Sequence, residues 1–296
     1  MSDSNMIRKS MPIAASHISP LANGKIDRGY ENLKVRMLYY PEEMPFKCMV
    51  YKATMATRGS PIDDLEEIDP TVVEEAFKGG LNQCLEWATV VFEISGLSRG
   101  VTHEIVRTRK ASFAQQSMRH TDMGSYVGDP ALFEMGEEKE YEGNAAMRMP
   151  EEIANSSEEV QALWIQSVNR ARHNYAVLVN DYDVPFQDAR TVLPIATETY
   201  IIASYPVSEF LNTFSYRACS MFYPEIVALF RLMREELLKV CPWLEPYVLI
   251  SCEKTRPNGE FSHMCTYQGW EKVEGQCPFA WAKESNRVWK SSKFEG

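Results

Sequence analysis

The segment Arg107–Arg119, RTRKASFAQQSMR, concentrates hydrogen-bond donors in an otherwise acidic chain. Its thirteen residues include three arginines, two glutamines and two serines. The whole chain has 41 Asp and Glu residues against 31 Lys and Arg residues, a net charge of −10. Such a balance argues against broad binding to nucleic acid or anionic membrane, whereas a local group of donors indicates a site for a small anion. Charge pattern alone is more typical of a solvated helix end, so the residues themselves must decide between a surface helix end and an anion site.

The geometry of this segment depends on a helix that we expect over residues 99–110. Arg107 and Arg109 would lie about 200° apart around its axis and would not serve the same face. The stretch Gln115–Arg119 is expected to follow as a turn. Its backbone N–H groups, the Ser117 hydroxyl and the Arg119 guanidinium would then surround a phosphate.

Length and composition limit the class of protein to which the chain can belong. A chain of 296 residues forms one large domain or two ordinary ones. No apolar run is long enough for a spanning helix, and the N-terminus lacks an apolar signal core, so we expect a cytoplasmic protein. The seven cysteines favour reduced thiols. We expect no metal site, because one group of residues lacks the spacing of paired zinc ligands: Cys252, His263, Cys265 and Cys277.

Local patterns predict the main elements and their division along the chain. β-Branched and aromatic runs predict strands over residues 33–40, 46–55 and 85–94. Helices are predicted from Asp69-Pro70 onward and over residues 99–110, 151–180, 197–217 and 221–240. We expect a flexible lead-in over residues 1–31, a domain over 32–250 with a surface excursion or lid at 121–150, and an extension of unknown role over 251–296.

Two separated blocks resemble one enzyme family. Arg107-Thr108-Arg109, followed by seven residues and Ser117, resembles the Arg-His-Arg, seven residues, Ser motif of the flavin-dependent thymidylate synthases. The block Ala189–Pro194, ARTVLP, resembles that family's Ala-Arg-x-Val-Leu-Pro. Two blocks in the family's order are far more specific than either alone. The resemblance covers roughly residues 35–248 and implies an α/β fold with an antiparallel sheet packed with long helices.

The resemblance also implies a reaction and its cofactors. The family methylates dUMP to dTMP with FAD, using methylenetetrahydrofolate as carbon donor and NADPH as reductant. Its members are homotetramers whose sites combine residues of more than one subunit. Reduced flavin supplies a hydride, so Ser117 is expected to be a phosphate ligand rather than a nucleophile.

The matching positions imply a role for each candidate residue. Arg217 is the expected catalytic residue, because an arginine facing the uracil carbonyl and ring nitrogen stabilises developing negative charge. The expected substrate-binding residues are Glu104, Arg107, Gln115, Ser117, Arg119 and Arg190. The expected cofactor-binding residues are Arg107, Thr108, Arg109, Gln115 and Asn212.

The chain departs from the family pattern at several flavin-side positions. Thr108, Trp87 and Met221 stand where the family has histidine, and Glu104 stands where it has glutamine. These departures keep two alternatives open. One is a pyrimidine nucleotide 5-hydroxymethylase on the same fold, and the other is a catalytically silent relative that binds nucleotide.

Overall fold

The computed structural model describes residues 25–60, 68–78, 81–124, 145–219 and 222–251. The strands are β1 Ile26–Asp27, β2 Lys34–Tyr39, β3 Thr89–Ser98, β4 Ser112–Gln115, β5 Met147–Arg148 and β6 Glu198–Pro206. The helices are α1 Glu43–Thr57, α2 Pro70–Lys78, α3 Arg99–Ile105, α4 Glu151–Ala154, α5 Glu158–Asn180, α6 Phe186–Ala189, α7 Val207–Arg217 and α8 Pro224–Val240. Short 3₁₀ turns cover Asn82–Leu85, Arg190–Val192 and Pro242–Leu244.

Two sheets organise these elements. The larger is an antiparallel sheet of four strands in the order β2-β3-β6-β4, and this confirms the predicted α/β fold class. The smaller is a parallel pair of β1 and β5, in which Ile26 lies opposite Met147. Among the described residues, no helix combines the length and hydropathy that crossing a lipid bilayer requires.

The described residues fall into two compact units. The first unit takes its residues from Met1–Asn32, Ser95–Thr102 and Gln115–Tyr200. The second takes its residues from Leu33–Ile94, His103–Ala114 and Ile201–Gly296.

The first unit has a methionine-rich core and a buried ion pair. Its core side chains are Ile26, Met118, Met123, Ala145, Met147, Met149, Ile165, Val168, Tyr175 and Ala189. Beside this core, Arg148 Nη1 lies 2.9 Å from Asp27 Oδ2, and both side chains are at most 1% exposed. The Asp27 carboxylate also accepts backbone N–H groups from Gly29, Glu31 and Asn32. A buried charge of this kind is tolerated only because hydrogen bonds satisfy it, so the network fixes the chain that follows β1.

The predicted strand over residues 46–55 is wrong, because this stretch is helix α1 of the second unit. Its aromatic and β-branched composition suggests a strand, but Phe46, Val50 and Thr54 are buried at a spacing of four residues. That spacing matches the turn of a helix, on which i and i+4 share a face. The buried face includes Phe46, which contacts Phe77 and Trp243 with ring centroids 6.3 and 5.8 Å apart. Packing against these rings outweighs the strand propensity of the sequence.

The predicted helix over residues 197–217 is half wrong. Its first part is strand β6, in which Ile201, Ala203 and Tyr205 are buried at a spacing of two residues. Its second part is helix α7, which begins at Val207 immediately after Pro206. Proline suits this junction, because N–H groups at a helix start have no carbonyl of an earlier turn to donate to, and its missing N–H therefore costs no hydrogen bond.

The remaining predicted elements differ from the structure mainly in their ends. The predicted helix from Asp69-Pro70 is confirmed, and the Asp69 carboxylate accepts the Thr71 N–H at 2.8 Å as a helix cap. The predicted strand 33–40 is β2. The predicted strand 85–94 is β3, which begins and ends nearer the C-terminus than predicted. The predicted helix 221–240 is α8. The predicted helix 151–180 is two helices, α4 and α5. The lead-in up to residue 24, most of the 121–150 excursion and residues 252–296 lie outside the described residues.

Candidate active site

The Arg107–Arg119 segment forms a turn, a strand and a second turn. Helix α3 ends at Ile105 rather than at residue 110, so Arg107 and Arg109 lie beyond it and the expected opposition on one helix is wrong. Residues Ser112–Gln115 then form β4, so Gln115 belongs to a strand and not to the predicted turn. The turn begins two residues later, where the Ser117 carbonyl accepts the N–H groups of His120 and Thr121 at 3.3 and 3.0 Å.

The candidate residues divide between the two units. In the first unit lie Gln115, Ser117, Arg119 and Arg190. In the second unit lie Glu104, Arg107, Thr108, Arg109, Asn212 and Arg217. We call the first set, together with Arg99 and Gln116, the phosphate-side group, and the second set the base-side group.

Arg99, which sequence reasoning missed, is central to the phosphate-side group. Its Nη2 donates to the Gln116 carbonyl at 2.7 Å. Burial, and secondarily the nearby charge of Arg190, lower the pKa of Arg99 from its ordinary value to about 10. The fold therefore holds a partly dehydrated Arg99 within the field of a second cation, an arrangement that an anion would relieve.

Orphaned polar atoms lie beside this pair of arginines. Arg99 Nε and both polar side-chain atoms of Gln116 are buried and have no hydrogen-bond partner among the described residues. Buried polar atoms are normally paired, so an unpaired set indicates a missing ligand or water. A sequence signal was present: Arg99 is the first residue of α3, where the positive end of the helix dipole disfavours a cation.

The predicted phosphate ligands of this unit have side chains with few competing partners. The Ser117 hydroxyl accepts the Arg119 N–H at 3.2 Å, and the Arg119 side chain is exposed. Arg190 Nε donates to the Gln187 carbonyl at 3.1 Å. Gln115 instead donates to the Thr102 hydroxyl at 2.9 Å, which orients its amide within the first unit.

In the base-side group, the fold pairs Arg217 with Glu104. Arg217 Nη1 lies 3.2 Å from Glu104 Oε2, with side chains 17% and 47% exposed. The Arg217 guanidinium also lies over the rings of Tyr216 and Phe222, 5.6 and 5.3 Å from their centroids. Ring faces attract cations, so these contacts hold the guanidinium in place at the end of α7.

The predicted cofactor residues of the second unit are accessible. Arg107 and Arg109 are exposed, and Thr108 is half-buried. Asn212 is exposed and lines a cavity of about 240 Å³ together with Lys78, Asn82 and Ser208. Trp87 is 65% exposed and lines a separate aromatic groove with Tyr39 and Tyr40.

Some candidate positions lie outside the described residues. Met221 is one, and the cysteine and histidine group from Cys252 to Cys277 is another. Within the described ranges, no cluster of three or more His, Cys, Asp or Glu side chains has the geometry to hold a metal ion.

The fold and the candidate site define an α/β protein with an arginine-rich group in its first unit and the Glu104–Arg217 pair in its second. The chain belongs to the thymidylate synthase complementing protein family, whose model matches residues 38–243 of its 296 residues. The predicted family resemblance is therefore confirmed.

Curated relatives and solved structures agree with this membership. The flavin-dependent thymidylate synthase of Geobacter sulfurreducens is 27% identical over 221 residues, which are 73% of this chain and 85% of that protein. The enzyme of the same name from Sulfurisphaera tokodaii is 32% identical over 187 residues, 63% of this chain and 64% of that protein.

Two solved structures share the fold. Thymidylate synthase X of Helicobacter pylori, solved with FAD and dUMP, has a TM-score of 0.52 at 19% identity, covering 72% of this chain and 96% of that one. The UMP/dUMP methylase PolB of Streptomyces cacaoi, bound to 5-Br dUMP, has a TM-score of 0.50 at 18% identity, covering 73% and 92%.

Proposed function

We propose that this protein is a flavin-dependent methyltransferase that converts dUMP to dTMP. Family membership supports this reaction class, and the solved relative from H. pylori contains FAD and dUMP. The observation in this chain that carries the proposal is the phosphate-side group. It combines two neighbouring arginines, Arg99 and Arg190, with unpaired buried polar atoms, and it suits a dianionic phosphate.

Each candidate residue takes a role in this proposal. Ser117, Arg119 and Arg190 hold the nucleotide phosphate, and Arg99 joins them as a further ligand. Arg217 faces the base and stabilises negative charge that develops on the ring. The aromatic contacts to Tyr216 and Phe222 fix its position before the substrate arrives, and preorganised charge is the most effective kind for this purpose.

The residues of the second unit fit an FAD cofactor. Arg107 and Arg109 offer exposed cations for a pyrophosphate, and Thr108 offers a hydroxyl where the family has histidine. Asn212 offers an amide at the edge of its cavity. Gln115 is a cofactor contact only by the family resemblance. When bound, the flavin supplies the hydride, with methylenetetrahydrofolate as carbon donor and NADPH as reductant. The protein's own residues bind and orient the reactants.

We also propose a cytoplasmic homotetramer. The family resemblance implies sites that combine residues of more than one subunit. One chain has a mass of 33.9 kDa. Sedimentation velocity of the purified full-length protein is expected to give four times this mass. A monomer that remains active would contradict the shared site.

Spectroscopy and product mass test the reaction together. Full-length protein incubated with FAD and dUMP and then desalted is expected to retain oxidised flavin absorbance. Addition of methylenetetrahydrofolate and NADPH is then expected to yield dTMP by mass spectrometry. A product heavier by one oxygen would establish the hydroxymethylase alternative, which the change to Thr108 favours. Nucleotide binding without turnover would establish a silent relative.

A further inference from the structure

The carboxylate beside Arg217 determines which base that arginine can bind. Glu104 Oε2 lies 3.2 Å from Arg217 Nη1, and 47% of the Glu104 side chain remains exposed. Two aromatic rings hold the Arg217 guanidinium, so the arginine keeps its position beside the carboxylate. Any base that contacts Arg217 therefore lies within reach of the Glu104 carboxylate.

The pair presents a particular order of hydrogen-bonding groups. An ionised carboxylate only accepts hydrogen bonds, and a guanidinium only donates them. Side by side, Glu104 and Arg217 offer one acceptor followed by a fork of donors. Glu104 contacts Nη1 of the guanidinium, so the fork keeps donors for a ligand. The complementary edge has a donor at one end and two neighbouring acceptors.

The two common pyrimidines differ in this respect. Cytosine presents its 4-amino donor at the end of the edge, followed by the N3 and O2 acceptors, and so matches the pair. Uracil places its N3–H donor between two carbonyl oxygens. A carboxylate on that N–H would face both oxygens and lie beside a ring that gains negative charge during the reaction.

We propose that Glu104 and Arg217 form a base-recognition pair for 4-aminopyrimidines, so that the nucleotide site accepts dCMP as well as dUMP. The inference rests on the proposed function, in which Arg217 faces the base. Glu104 accepts the 4-amino N–H, and Arg217 donates to N3 and O2. Glutamine at position 104 would lose this preference, because its amide can present either a donor or an acceptor.

Binding measurements on full-length protein test the pair without requiring turnover. Calorimetric titration compares dCMP, dUMP and 2′-deoxyzebularine 5′-monophosphate, which keeps N3 and O2 but lacks the 4-amino group. In the wild-type protein, loss of the amino group is expected to weaken binding about tenfold, the usual effect of a hydrogen bond to a charged group. In Glu104→Gln the same loss is expected to cost only about threefold, because a neutral amide oxygen accepts a weaker hydrogen bond than a carboxylate, and the difference isolates the contact as a double-mutant cycle does.

Glu75→Gln is the matched control. Glu75 forms its exposed ion pair with Arg58, in the same unit. It is expected to show the wild-type ranking of the three nucleotides.

The outcomes separate this inference from the proposed function. An equal cost of removing the amino group in wild-type protein and Glu104→Gln would overturn the pairing. Binding of dUMP with no binding of dCMP would overturn the inference alone and leave the proposed function standing. Failure of both nucleotides to bind would overturn both.

Discussion

The phosphate-side and base-side groups both centre on arginine, but the fold treats the two charges in opposite ways. Arg99 lies near a second cation, Arg190, and neither forms an ion pair within the described residues. Arg217 lies beside its own carboxylate, Glu104. Arg99 and Arg190 together leave excess positive charge that an anion can neutralise. The Arg217–Glu104 pair carries no net charge, and it offers a ligand donors and an acceptor in fixed order instead. One group is therefore suited to a phosphate and the other to the polar edge of a base.

The largest expected effect concerns the base-side arginine. Arg217→Ala is expected to lower kcat about 100- to 1,000-fold, as loss of a transition-state donor does, with only a modest rise in the dissociation constant of dUMP. Steady-state kinetics and calorimetric binding give the two quantities. A large loss of binding with kcat retained would reverse the assigned roles of the two groups.

A smaller effect is expected at the phosphate-side group. Arg190→Ala is expected to weaken dUMP binding about 10- to 100-fold, because it removes a charged hydrogen-bond donor, while kcat at saturation changes little. Arg170→Ala is a suitable control, since Arg170 is exposed in the same unit. Equal weakening by both substitutions would mean that only net charge matters.

Arg99→Met tests whether the phosphate-side group is strained without its ligand. The lowered pKa of Arg99, about 10, means that its charge is less favourable in the folded protein than in the unfolded chain. This destabilisation is fully present below pH 10 and disappears as pH rises from about 10 toward the ordinary pKa of an arginine side chain. At pH 7 the variant is therefore expected to melt about 2 °C higher than the wild type when unliganded, and to gain less from added dUMP.

Calorimetric melting with and without dUMP measures both effects, with Arg170→Met as control. A lower melting temperature for unliganded Arg99→Met would show that the hydrogen bond to Gln116 contributes more than the strained charge costs.

The smallest effect is expected for the stability of Glu104→Gln. Its ion pair is half exposed, and such pairs contribute at most about 1 kcal/mol. Urea unfolding is therefore expected to show a change in the free energy of unfolding below this value. A larger loss would mean that Glu104 is structural, and changes in base selectivity would then have to be measured against that loss.

Local pattern predicted some elements and failed where two patterns overlapped. Asp69-Pro70 marks a helix start through the chemistry of those residues alone, and the structure confirms it. The stretch 46–55 has the composition of a strand and the spacing of a helix, and only packing against Phe77 and Trp243 decides between them. At Pro206, strand and helix meet within one predicted element.

At the candidate site, too, local sequence pattern predicted some features and missed others. The spacing of Arg107, Thr108, Arg109 and Ser117, together with the Ala189–Pro194 block, identified the family, which the family model confirms. The individual roles of these residues stay predictions. The position of Arg99 at a helix start was the only local signal, and its burial near Arg190, which is distant in sequence, follows from the fold.

The sequence by itself determined the family, the fold class and the kinds of side chain available for binding, because these depend on residue identity and spacing along the chain. Only the tertiary structure decided which charges meet. Glu104 and Arg217 are 113 residues apart in sequence and 3.2 Å apart in space. Such a contact follows from how helices and strands pack, and no local periodicity encodes it.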